Sequence, residues 1–230
     1  MERLKRKLKF AEGGHASQLL RIMQDIAGDD ADRRGGGMDA LAEKNCAWVL
    51  VKLRIDIRRM PRPGEEIEIC TWPGKSRLAV YPRSYEIKDA AGQVIVSGLS
   101  TWVIMDMDSR SLINGESRGI AIAGEEEGIV RPQRKVSVPE GGSEYALTPT
   151  ADQIDRNGHM NNAAYLDAVE PMLPEEFRGR ELRSIAVDYE HEILPGRHAA
   201  VRAVAQGESC FFQGSMEGRV CFRISETFAV

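Results

Sequence analysis

The sequence predicts an α+β protein of two tandem units, each an antiparallel sheet wrapped around one helix. Two observations carry this reading. The apolar residues switch from helical spacing to strict alternation past the glycine-rich loop at 29–37. Each half then repeats one order of elements: a Gly-His pair entering a helix (Gly14-His15, Gly158-His159), a long strand, a Pro-Gly turn (Pro63-Gly64, Pro195-Gly196) and more strands. A lone helix cannot bury its apolar face, whereas a curved sheet folded around it can. A length of 230 residues accommodates two such units.

Composition narrows the function. With 42% apolar and 29% charged residues the chain is that of an ordinary globular protein, and a net charge of −4 argues against a nucleic-acid coat. No apolar run approaches the ~18–20 residues that a bilayer demands, so no membrane span is expected. The basic start, from Met1 to Phe10, lacks an apolar segment and a small-residue cleavage site, so no signal peptide is expected. Cys46, Cys70, Cys210 and Cys221 form no CxxC pair, and three of them adjoin β-favouring residues. They predict buried thiols in a reducing, cytoplasmic setting.

In order along the chain, Ala16, Leu19, Leu20, Met23, Ile26 and Ala27 predict a helix ending before Gly28. Val49, Val51, Leu53, Ile55 and Ile57, alternating with Lys52, Arg54, Asp56 and Arg58, predict a half-buried strand. Further strands follow from 67, at 78–88 and at 93–106. Residues 114–143, with the Glu125-Glu126-Glu127 run and the Arg131, Arg134, Lys135 cluster, form a linker between units 1–113 and 144–230. In the second unit a short helix is expected from Asn161 or Asn162 to Met172, with strands at 184–193, 198–206, 209–215 and 219–229.

The densest polar segment is Asp155-Arg156-Asn157-Gly158-His159-Met160-Asn161-Asn162. In extended chain Asp155, Asn157 and His159 project to one face, and the helix that follows offers N–H groups to a developing oxyanion. Asn161 or Asn162 also fits a plain helix cap, and a histidine is often structural. A calcium loop is excluded, because Met160 stands where glycine belongs and Leu166 where glutamate belongs. Gly74-Lys75-Ser76 is no phosphate loop, since Ile69 occupies the required glycine position. Glu192 ends a strand on which Asp188 and Glu190 share its face, an arrangement that a solvated polar face also explains. His15, His191 and His198 carry no neighbouring pattern.

The run from Asp155 to Tyr165 resembles the active-site segment of acyl-acyl-carrier-protein thioesterases, roughly D-x-N-x-H-x-N-N-x-x-Y. Trp48 to Ile55, the Pro-Gly turn after it, Thr71-Trp72, and Ser100 to Asp106 resemble the amino-terminal half of the plant and bacterial enzymes. Asp188-Tyr189-Glu190-His191-Glu192 resembles their E-Y-x-x-E strand, so the likeness runs over about 10–230 in one order. It implies a double hot-dog fold in which the first unit shapes the acyl pocket and the second is catalytic. The catalytic set it implies is Asp155, Asn157, His159 and Glu192. The plant enzymes carry cysteine directly after the matching glutamate, where this chain has Ile193; a cysteine mechanism is therefore disfavoured.

The expected reaction is hydrolysis of fatty acyl-acyl-carrier protein, with Asp155 or Glu192 as general base or nucleophile. Asn157 would orient that group, and His159 with the helix N–H groups would polarise the carbonyl. Leu19, Leu20, Met23 and Ile26 are candidate acyl-chain lining and equally suit plain core. No cofactor is expected beyond the phosphopantetheine that the carrier protein brings. That acidic partner would meet Arg3, Lys5, Arg6, Lys7 and Lys9, or Arg131, Arg134 and Lys135. Monomer and homodimer both remain open. The alternatives are an acyl-coenzyme A thioesterase and, from another class, a non-enzymatic acyl-thioester sensor on the same fold.

Overall fold

The structure, a computed structural model, describes residues 2–125 and 134–230. Its basic start forms a strand that its charge conceals. Leu4 and Leu8 alternate with lysines, and β1 (Leu4–Lys9) lies antiparallel to β3 (Glu66–Pro73), with Leu8 opposite Ile67. α1 (Ala16–Arg33) buries the predicted stripe of Leu19, Leu20, Met23, Ile26 and Ala27. It does not stop at Gly28. Asp30, fully buried, holds the added turn through Arg34 and Arg83, each at 2.8 Å. A short helix, α2 (Met38–Ala42), then seats Leu41 in a small second apolar cluster with Cys46, Tyr81, Ile104 and Ile120.

The expected alternation of β2 (Cys46–Ile57) is interrupted by a bulge between Leu50 and Lys52, so Leu50 and Leu53 are both buried. β4 (Val80–Lys88) and β5 (Val94–Asp106) match the predicted strands closely, and β6 (Leu112–Ile113) folds back on β5. After β7 (Ser143–Leu147), the predicted second helix shrinks to α3 (Ala164–Val169) and one 3-10 turn, Glu170–Met172. Pro171 has no N–H to continue the α-helix. β8 (Leu182–Tyr189) also ends early: the N–H groups of Glu190 and His191 both donate to the carbonyl of Cys221, at 2.8 and 3.0 Å. β9 (Ala199–Gln206), β10 (Ser209–Met216) and β11 (Arg219–Phe228) complete the chain.

Among the described residues the strands form one antiparallel sheet, ordered β1-β3-β4-β5-β2-β8-β11-β10-β9-β7. The two units join where β2 meets β8, with Leu53 opposite Val187 and Ile55 opposite Ile185. One core runs through both units, from Leu19, Met23 and Tyr85 to Tyr165, Phe212 and Phe222. Because β2 lies mid-sheet, its charged residues are half-buried rather than solvated. The predicted linker is partly packed: Glu125 pairs with Gly74, and the N–H of Val136 donates to buried Asp188 at 2.6 Å. Glu126, Glu127 and Arg131 lie outside the described residues. All four cysteines are buried and free.

Candidate active site

Asp155, Asn157 and His159 come together, but not as an extended run. They form a tight turn. Ile154 pairs with Met160, the N–H of Asp155 donates to the carbonyl of His159 at 3.0 Å, and Gly158 takes a φ of 81°. That left-handed conformation suits glycine, which has no Cβ to clash. Inside the turn Asp155 accepts from the Asn157 backbone N–H at 2.8 Å and from its side-chain amide at 3.3 Å. The His159 Nδ1 stands 4.0 Å from Asp155 Oδ1, too far for a hydrogen bond and close enough for charge pairing. Both side chains are partly open to water, at 26% and 20% exposure.

The segment that carries Glu192 comes beside this turn because β8 stops short. Beyond the double contact at Cys221 the chain bends, and Ile193 is tied twice to the second unit's loop and helix. Its carbonyl accepts from the Met160 N–H at 3.0 Å, and its own N–H donates to the Tyr165 hydroxyl at 3.3 Å. Residues 159 and 192 are therefore the immediate neighbours of a bonded pair. The face expected to carry Asp188, Glu190 and Glu192 together is divided. Asp188 is buried near Lys52, Glu190 pairs with Lys135 and Arg223, and Glu192 pairs with Arg110 at 3.0 Å.

Two of the N–H groups at the start of α3 are already bonded within the chain. Ala163 donates to the Asn161 side chain at 2.9 Å and Ala164 to the Asn161 carbonyl at 2.9 Å. Asn161 thus takes up two of the N–H groups that were expected to face a substrate.

Two contributors carry no legible sequence signal of their role. Arg110, in the turn between β5 and β6, comes from the other unit. Tyr165 closes the motif but its spacing assigns it no task. It sits edge-on to Tyr189 and Phe222, with ring centroids 5.5 and 5.0 Å away. Burial pushes its phenol well above the ordinary value, with Glu192 and Asp155 adding to the rise, so it stays protonated.

Leu19, Leu20, Met23 and Ile26 are each at most 1% exposed, packed against the sheet. A Cβ on Gly98 of β5 would lie 3.0 Å from the Met23 methyl. A cleft of about 380 Å³ opens at the other end of α1, lined by Phe10, His15, Ser17, Gln18 and Ile22. His15 there pairs with Glu170 at 3.0 Å, and His198 contacts Thr148 at 2.6 Å. Of the predicted basic patches, Arg3 is engaged by Glu125 and Arg6 by Asp29. Lys7 and Lys9 stand across from Glu68 and Glu66, which blunts the strip. Among the described residues no group of three His, Cys, Asp or Glu side chains is placed to hold a metal ion, and no helix is long and apolar enough to cross a membrane.

Two helix-bearing units sharing one antiparallel sheet make a double hot-dog protein. The fold is that of an acyl-ACP thioesterase from Bacteroides thetaiotaomicron, with a TM-score of 0.89 at 21% identity over 99% of this chain and 98% of that one. A 12:0-ACP thioesterase from Umbellularia californica follows at 0.82 and 19%, over 99% and 97%. Residues 9–116 match the acyl-ACP thioesterase N-terminal domain, and residues 138–219 match its C-terminal domain. The chain belongs to the acyl-ACP thioesterase family. It is 27% identical over 195 residues to the chloroplastic oleoyl-acyl carrier protein thioesterase of Coriandrum sativum, covering 76% of this chain and 53% of that protein. The chain thus spans about half the length of the curated plant relatives it matches.

Proposed function

We propose that the protein hydrolyses the thioester of fatty acyl-acyl-carrier protein, releasing free fatty acid and the carrier's thiol. The observation that supports this reading is the bond between Met160 and Ile193, which sets the Asp155-Asn157-His159 turn beside the segment that carries Glu192, in a member of this family.

In this reading Glu192 is the base. Both oxygens of Asp155 already accept from Asn157, which suits Asp155 to shaping the turn and facing His159. Glu192 takes a proton from water, and the hydroxide adds to the thioester carbonyl. His159 donates to the oxyanion, a contribution of about 3–4 kcal/mol for one well-aimed donor. Collapse breaks the carbon–sulfur bond, and the thiolate leaves with the proton held by Glu192. Carboxylic acid and thiol are the products, and one water is consumed. The acyl chain enters the first unit along α1, and the second unit performs the chemistry. The four buried free thiols suit a reducing, cytoplasmic setting.

The test is thiol release from acyl-acyl-carrier protein and from acyl-coenzyme A of the same chain length. Faster turnover of the carrier-protein substrate supports the assignment. Preference for the coenzyme A ester would move it to the second carrier, and no release from either leaves a thioester binder.

A further inference from the structure

We propose that Arg110 is a positioning residue that holds the Glu192 carboxylate from the opposite unit. The inference rests on the reading of Glu192 as the base, and it adds a part for the first unit in the reacting centre.

The backbone around Glu192 is fixed by the two bonds of Ile193, but its side chain is not. Among the described residues that carboxylate is held by Arg110, whose Nη2 donates to Oε1 at 3.0 Å. An ion pair between side chains exposed by 55% and 37% adds little to stability. The construction of the turn beneath it points to another purpose. Arg110 takes a φ of 55°, a left-handed conformation that is costly for a residue with a Cβ. Asp106 pins that conformation. Its Oδ1 accepts from the N–H groups of Asp108 and Ser109 and from the Ser109 hydroxyl, at 2.9–3.2 Å. Its Oδ2 accepts from Arg118 at 2.5 Å, and the Arg110 N–H donates to its carbonyl at 2.9 Å. Those bonds from Ser109, with Arg118 beside them, hold the Asp106 carboxyl below the ordinary value, so the clamp is ionised at neutral pH. A strained, over-determined turn thus presents one guanidinium to one carboxylate across the junction of the units. A group whose direction decides reaction geometry is sensitive to small displacements.

The experiment measures kcat, KM and melting temperature on acyl-acyl-carrier protein for Arg110→Ala, Arg110→Lys, Glu192→Gln and the Arg110→Ala/Glu192→Gln double variant. Arg110→Ala should lower kcat on the order of tenfold with KM nearly unchanged, at the parent melting temperature. Arg110→Lys, which can still make a single bond, should recover most of that loss. The double variant should be no slower than Glu192→Gln alone, because the arginine acts only through that carboxylate. Parent-like turnover of Arg110→Ala beside an inactive Glu192→Gln overturns the proposal and leaves the Glu192 assignment standing. A rise in KM alone would make Arg110 a substrate contact instead and also overturns it. Full activity of Glu192→Gln removes the assignment and the proposal together.

Discussion

The N–H of Met160 donates to the carbonyl of Ile193 at 3.0 Å, which sets the residue after His159 beside the residue after Glu192. Thirty-odd positions of chain separate them, spanning α3 and β8. The candidate site is therefore a product of the second unit's closure, and its integrity can be probed through the groups that make that closure.

Tyr165 offers the most direct test of these, since its hydroxyl accepts from the buried Ile193 N–H at 3.3 Å. Tyr165→Phe keeps the aromatic packing on Phe222 and leaves that N–H without a partner. The expected cost is about 1–3 kcal/mol of stability in urea denaturation. Turnover should fall as well, because the segment carrying Glu192 loosens.

A second prediction concerns the buried pair at the end of α1. Burial raises the Asp30 carboxyl, but hydrogen bonds from Arg34 and Arg83 outweigh it and hold the group below its ordinary value. Asp30→Ala strands the Arg83 guanidinium, 8% exposed, with the Thr71 hydroxyl, at 3.3 Å, as its remaining partner among the described residues. Breaking such a pair costs about 3–5 kcal/mol, read as a fall in the urea midpoint. Asp30→Leu with Arg83→Met should recover most of that loss, since the uncompensated charge is gone.

Glu226 predicts a pH dependence. It is buried on the core side of β11 near Cys210, and burial, with Glu170 nearby, pushes its carboxyl up to about 7. Between the ordinary value of 4.5 and about 7 the native state holds a proton that the unfolded chain releases. Stability from this group is thus complete below 4.5, falls as pH rises through the window, and levels off above 7. Glu226→Gln should match the parent at pH 4.5 and exceed it at pH 8, by on the order of 3 kcal/mol. Chemical denaturation at the two pH values checks this; an equal difference at both would contradict it.

The acyl chain's path is tested at Met23, whose methyl lies against Gly98. Met23→Ala opens space between α1 and β5 and costs about 2–5 kcal/mol of stability. If the acyl chain runs there, the free acids released should shift toward longer chains. An unchanged product profile would leave Leu19, Leu20, Met23 and Ile26 as core only.

Much of this was legible in the residues because local pattern and final environment agreed. The stripe of α1 and the strands β4, β5, β9, β10 and β11 are cases in point. The departures have physical reasons. α1 passes Gly28 because a buried ion pair, invisible to periodicity, stabilises its last turn. β2 loses its alternation to a bulge, and its charges are covered because β8 pairs beside them. Asp155 and His159 meet through a closed turn rather than an extended run, since Gly158 can adopt the required φ. Asn161 accepts from the N–H groups of Ala163 and Ala164, a local bond that the motif spacing does not announce. Arg110 escaped notice because only the junction of the two units brings it near Glu192, and no spacing within either unit encodes that distance.

The account depends most on the turn at 155–159 and Glu192 acting as one hydrolytic centre. The direct measurement is kcat for thiol release from acyl-acyl-carrier protein by Asp155→Ala, His159→Ala and Glu192→Gln. Each should fall by roughly 10²–10⁴-fold at a parent-like melting temperature. Variants that fold as the parent does and release thiol at the parent rate would contradict it.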